Sequence, residues 1–292
     1  MTLTREERIA GCLLGGAFGD AVGAHFEGRF EMGSFIFPQT LCVTDDTQLT
    51  LATCESIIQS NVISPERVAK HFVRWFRERR ITGIGSSTLK ALVELDAGGH
   101  WALVGAIGDR AAGNGAAMRV APLAFFLDPG ADSQRTTIRD ICRITHRNDE
   151  AYIGALALLR AIRHVVDRGN LAQDFPDFLL DSLPDSIVRD RLAESHHYSV
   201  AEYCHRFGTT GYVADSVPLA ILAAARSTNF PATVEQLVRC GGDTDTIASM
   251  FGQIFGAAHG AEVLPVATLN RIDAVDLVRE MALNLSRTSI AK

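Results

Sequence analysis

Apolar residues in this chain return every three or four positions, and stretches that alternate apolar with polar residues are nearly absent. A period near 3.6 is that of helices burying one face, whereas strands need a period of two. β-Branched residues are diluted by Ala, Leu and Arg, so an all-α fold is expected. The first helix is announced by Thr4-x-x-Glu7, a capping box whose side chains satisfy early helix amides. Periodicity predicts further helices at 49–60, 87–95, 116–126, 133–145, 149–167, 200–207, 215–226, 233–240, 246–259 and 273–286, and another opening at Ser64-Pro65-Glu66.

The first helix becomes unusually rich in glycine from Gly11 to Gly23 (GCLLGGAFGDAVG). Glycine inside a helix costs about 1 kcal/mol relative to alanine. A run of this kind therefore calls for close helix–helix approach or close approach of backbone to a ligand.

With 292 residues, one large domain and two small ones are both open. No repeat or low-complexity linker divides the chain. The polar segment 174–199 is the only boundary on offer, and Phe175, Phe178, Leu179 and Leu180 mark it as a packed excursion. One compact domain over 1–292 is expected. A hydrophobic share of 47% and a charged share of 21% rule out large-scale disorder.

A net charge of -6 gives no general attraction to nucleic acid or anionic lipid, so neither partner is expected. The one basic run, Arg74 to Arg80, contains Glu78 and reads as a solvated helix face. The first ten residues lack a signal-peptide apolar stretch, and runs such as 120–127 are too short to span a bilayer. A cytoplasmic location without membrane is the expectation. The six cysteines form no Cys-x-x-Cys pair, and most read as small buried hydrophobes.

Chemistry concentrates in two places. Thr44-Asp45-Asp46-Thr47 and Gly241-Gly242-Asp243-Thr244-Asp245-Thr246 each stand before an apolar helix. Asp and Thr are good helix caps, but a cap needs one such residue and each cluster supplies four. Crowded carboxylates repel and call for a counter-charge, and Asp with Thr oxygens suits Mg²⁺ or Mn²⁺. In an extended segment Asp243 and Asp245 point the same way, while Asp45 and Asp46 diverge toward two metals. Gly19-Asp20-Ala21-x-Gly23-x-x-x-Glu27 adds carboxylates that, taken alone, read as surface charges. Beside two metals, Glu27 could orient or deprotonate a water. Gly113-Asn114-Gly115 enters an Ala-rich helix, as an ordinary tight turn or as a phosphate site of free amides. Gly83-Ile84-Gly85-Ser86-Ser87 is either another backbone-rich loop or a helix entry, and His146 closes a helix.

Together with Met118-Arg119 and Gly211-Tyr212-Val213-x-Asp215-Ser216-x-Pro218, these motifs resemble the ADP-ribosylglycohydrolase family in order and spacing. The resemblance implies a single, orthogonally packed all-α domain with two Mg²⁺ or Mn²⁺ ions. It implies hydrolysis that frees ADP-ribose from a modified protein side chain or a small ADP-ribosyl compound. Carried over by motif, Thr44, Asp45, Asp46, Asp243, Asp245 and Thr246 would ligate metal, with Glu27 and Asp45 catalytic. Gly85, Ser86, Gly113, Asn114, Gly115, Met118, His146 and Tyr212 would line the substrate site. Arginine-directed members often carry Asp-Ile-Gly where this chain has Gly83-Ile84-Gly85. Without that carboxylate, serine-linked or small-molecule ADP-ribose joins arginine as a candidate. A diphosphate-cleaving hydrolase and a non-catalytic ADP-ribose-binding module are the competing readings. Oligomeric state is not legible.

Overall fold

Thr4 and Glu7 cap the first helix reciprocally: the Thr4 amide donates to Glu7 Oε2 over 2.7 Å, and the Glu7 amide donates to Thr4 Oγ1 over 3.2 Å. A computed structural model describes residues 2–28, 35–60, 62–169 and 175–290, with the side chains of 175–177 outside the description. In chain order the helices are α1 Arg5–Phe26, α2 Asp45–Ser60, α3 Pro65–Arg77, α4 Ser86–Asp96, α5 Trp101–Val104, α6 Asp132–Arg143, α7 Asp149–Arg168 and α8 Phe175–Leu180. Then come α9 Ile187–Ser195, α10 Val200–Phe207, α11 Val213–Arg226, α12 Phe230–Cys240, α13 Thr244–His259, α14 Val266–Leu269 and α15 Val275–Arg287. Among the described residues there is no strand, only isolated bridges. The fold is all-α.

Most helix starts are written locally. Ser64, Asn148, Ser186, Ser199 and Asn229 each accept an amide hydrogen from the first turn that follows. One expected helix does not form: 116–126 is two short 3₁₀ turns, Ala117–Arg119 and Ala121–Phe125. Pro122 has no amide hydrogen and its ring would clash within a continuous α-helix, so the segment breaks there. Its apolar residues are buried all the same.

The centre of the fold is the pairing of α1 with α13, and glycine makes it possible. A Cβ on Gly15 would lie 2.3 Å from the Gly252 carbonyl oxygen, and one on Gly256 would lie 1.9 Å from that of Gly11. Gly19 and Gly23 continue the same contact against Ala248 and Asp245. The glycine run thus serves close backbone packing. By length and composition α1 could cross a membrane, yet 78% of that stretch is buried inside the fold. It is the core helix here, longer in apolar reach than the runs considered from sequence. Gly15→Ala is expected to cost about 2–3 kcal/mol, the range for overpacking against unyielding backbone. Chemical denaturation of wild type and variant measures it, and a loss under about 0.5 kcal/mol would mean the helices separate easily.

A single hydrophobic cluster runs from Ile9 to Leu285. In the excursion, Leu179, Leu183, Val188 and Leu192 belong to it, so α8 and α9 pack against the rest. Asp174 and the side chain of Phe175 lie outside the described residues. In the basic run, Arg74 pairs with Glu55, Arg77 with Asp96 and Arg80 with Glu78. Cys12, Cys54 and Cys142 are buried as expected, but Cys42 is exposed and Cys204 and Cys240 are half-buried.

Candidate metal centre and substrate cleft

Asp20 lies on α1, one residue after the Gly19 contact with α13, and is fully buried. Its carboxylate accepts from the Thr44 amide at 3.0 Å, Thr44 Oγ1 at 2.7 Å, the Thr47 amide at 3.1 Å and Thr47 Oγ1 at 2.5 Å. Asp20 therefore caps α2 from outside that helix, serving amides that would otherwise be orphaned. Taken alone in the sequence, it reads as a surface charge. The signal against that reading is its place in AFGDAVG, where the glycines on either side need a packed face.

The two acidic clusters meet here. Thr246 Oγ1, in the first turn of α13, donates to Asp46 Oδ2 over 3.1 Å across 200 residues of sequence. Asp243 is the N-cap of α13, its amide donating to Thr209 O over 2.8 Å. Asn114 Nδ2 donates to Asp243 Oδ2 over 2.5 Å and to Ser216 Oγ over 3.1 Å. Asp45, Asp46 and Asp245 are thus helical, where an extended segment was expected. The convergence survives because both helix N-termini point into one cleft. Their positive dipole ends favour negative charge there.

The carboxylates stand in two overlapping groups, Asp20–Asp46–Asp245 and Glu27–Asp243–Asp245, with ligand atoms in each within 4.8 Å of one another. Burial, then mutual repulsion, pushes their protons on. Asp20 rises to about 6, and Asp45 and Asp245 to about 7. Asp46 goes well above the usual carboxylate range for the same reasons, and burial raises Asp243. Exposed Glu27 is raised first by the charge of Asp245. Asp46 Oδ1 is buried and has no hydrogen-bond partner among the described residues. Thr44 and Thr246 spend their hydroxyl hydrogens on Asp20 and Asp46, which leaves lone pairs free. An all-oxygen set with an orphaned carboxylate oxygen fits a hard divalent cation.

This set forms one wall of a cleft of about 330 Å³ that Glu27, Thr44, Asp45, Asp46, Asp243, Asp245 and Thr246 all line. The same cleft is lined by Gly85 and Ser86 at the start of α4, and by Gly113, Asn114, Gly115, Met118 and His146. Two bridges fix the loops: Gly113 with Tyr212, and Ala106 with His146. Tyr212 itself does not line the cleft. It serves as N-cap of α11, its carbonyl accepting from the Asp215 and Ser216 amides, and Gly211 faces the cleft instead. Arg110, which the sequence did not single out, also lines it. A larger groove of about 740 Å³ beside α3 and α5 holds none of these acidic residues, and its Lys70 and Arg77 are ion-paired.

The sequence model of ADP-ribosylglycohydrolases matches residues 1–291. The chain belongs to the ADP-ribosylglycohydrolase family. Among family relatives, an ADP-ribosylarginine hydrolase Tri1 of Pseudomonas putida is 27% identical, covering 97% of this chain and 80% of its own. An ADP-ribosylhydrolase ARH3 of Xenopus tropicalis is 26% identical, covering 89% of each. A solved ADP-ribosylglycohydrolase-related protein complex superposes with a TM-score of 0.79 at 26% identity, over 98% of this chain and 99% of that one. Family membership supports a hydrolase acting on ADP-ribosyl groups.

Proposed function

We propose that the chain releases ADP-ribose from a modified side chain or small ADP-ribosyl compound with the help of two divalent cations. The observation that carries this is the pair of carboxylate groups sharing Asp245, which line one cleft together with a backbone-rich loop. Asp45, Asp46, Asp243 and Asp245, with the hydroxyls of Thr44 and Thr246, would hold Mg²⁺ or Mn²⁺. Cations there would supply positive charge for oxygens of the substrate and lower the pKa of water. Glu27, at the rim and beside Asp245, is placed to take the proton of an attacking water. Asn114 holds Asp243 in place. The amides in the first turn of α4, from Ser86 onward, offer donors to an anionic oxygen, while the Gly85 amide serves Asp45.

Hydrolysis of arginine-, serine- and acetyl-linked ADP-ribose with Mg²⁺ or Mn²⁺ tests the reading. Free ADP-ribose supports it. AMP as product would mean cleavage of the diphosphate, and no turnover of any linkage would leave a binding module.

The linkage turns on Gly83. Its φ is +74°, and a Cβ there would stand 3.8 Å from Asp45 Oδ1. A side chain from this point thus reaches the carboxylate wall, yet the native residue offers none to a guanidinium. We therefore propose that arginine is not the favoured linkage. Gly83→Asp is expected to raise kcat/KM on the arginine linkage relative to serine by about tenfold, the worth of a charged hydrogen bond. The left-handed backbone should cost that variant about 1 kcal/mol of stability. Matched steady-state rates decide it, and an unchanged ratio would show that this loop does not select the linkage.

A further inference from the structure

Arg119 is fully buried, with its guanidinium 5.1 Å from the Phe72 ring centroid. It donates to the Gly115 carbonyl and, over 2.7 Å, to Thr145 Oγ1. The same hydroxyl oxygen lies 2.7 Å from His146 Nδ1. Thr145 is also fully buried, and among the described residues its hydroxyl meets only these two groups. A threonine hydroxyl has one proton to give, and Arg119 cannot accept it. Were Nδ1 protonated, that hydroxyl proton would be buried without an acceptor, a costly arrangement. The satisfied arrangement runs one way: Arg119 donates to Thr145, and Thr145 donates to Nδ1. The ring proton then sits on Nε2. Burial and the Arg119 charge oppose a second proton, holding His146 down at about 3.

Nε2 is the edge of the ring beside the glycine loop. A Cβ on Gly113 would lie 3.1 Å from it, and one on Gly115 would lie 2.8 Å from Cε1. Hydrogen bonds from Ala106 N to Thr145 O (2.9 Å) and from Arg147 N to Ala106 O (2.8 Å) hold the backbone on both sides. We infer that Arg119 and Thr145 are positioning residues that lock His146 as the neutral Nε2–H tautomer, a fixed hydrogen-bond donor facing the cleft. With Nδ1 engaged and Nε2 already protonated, the ring has no lone pair to serve as a base. It recognises an acceptor oxygen of the bound ligand. The identity of that ligand as ADP-ribose rests on the proposed function, while the tautomer does not.

Long-range ¹H–¹⁵N spectra of the full chain labelled at histidine test this, with His146→Gln identifying the signals. The Nε2–H pattern is expected to persist unchanged from about pH 5 to about pH 9, where free histidine titrates. Thr145→Val should mix the tautomers and weaken ADP-ribose binding about tenfold by calorimetry, the worth of one hydrogen bond to a charged group. Thr145→Ser, which keeps the hydroxyl, should restore both readings. An Nδ1–H pattern or a titration near pH 6.5 in the wild type would overturn the lock. So would a Thr145→Val spectrum and affinity identical to wild type. If the wild type shows the Nε2–H pattern but binds no ADP-ribose, the lock stands and the ADP-ribosyl reading falls.

Discussion

Asp245→Ala is expected to remove divalent-cation binding and to lower kcat/KM by about a thousandfold or more. Asp245 belongs to both carboxylate groups, so its loss would damage both proposed cation sites at once. Removing electrostatic support for charge at the reacting centre commonly costs a hundred- to a thousandfold for a single donor, and here two sites go together. The variant should still fold, because its loss also relieves repulsion on Asp20, Asp46 and Glu27. Calorimetric titration with Mg²⁺ and Mn²⁺, with turnover measured alongside, checks both halves. Unchanged cation stoichiometry, or activity within tenfold of wild type, would remove Asp245 from the centre.

The second large effect concerns stability of the cation-free protein, which is expected to fall as pH rises from about 4 to about 7. Asp20 holds its proton up to about 6, and Asp45 and Asp245 to about 7, against an ordinary value of 3.8. Between those limits the folded state keeps protons that the unfolded chain has released. Each step up in pH therefore favours unfolding, and the contribution is complete below the ordinary value and gone above about 7. Several kcal/mol are at stake, about 10 °C or more in Tm for a chain of this size. A divalent cation bound at the proposed site would take over the protons' task, so the downward slope should vanish when it is saturating. Thermal scans in chelator and in Mg²⁺ at several pH values would show the difference. Parallel curves would mean that the carboxylates do not need a counter-charge.

The helical class was legible in periodicity, and so were most helix starts, because their caps are local residues such as Thr4, Ser64 and Ser199. What failed was local too: Pro122 breaks a segment whose apolar spacing still reads as a helix. The acidic clusters were visible because four oxygen-bearing residues in a row exceed what a cap requires. Asp20 was underrated because its partners, Thr44 and Thr47, lie in another helix and nothing near it in sequence names them. Gly211 rather than Tyr212 lines the cleft, because sequence shows that a loop exists but not which of two neighbouring residues turns inward. The tie from Arg119 through Thr145 to His146 was beyond reach for the same reason, as it joins three groups across two segments.

The glycine-packed crossing of α1 and α13 also sets when the site can exist. Thr244 Oγ1 donates to Gly23 O across 221 residues of sequence, and the two carboxylate groups straddle that crossing. Both carboxylate groups include Asp245 of α13, so the earlier residues Thr44, Asp45 and Asp46 hold only half of the proposed ligand set. On a ribosome, the proposed cation site would stay incomplete until α13 has been made and has docked. Contacts so distant in sequence form late, after loop closure has been met by other interactions. Cation capture at the proposed site would therefore seal a finished fold and not nucleate one, so uptake of the ion would be a timestamp for completed folding.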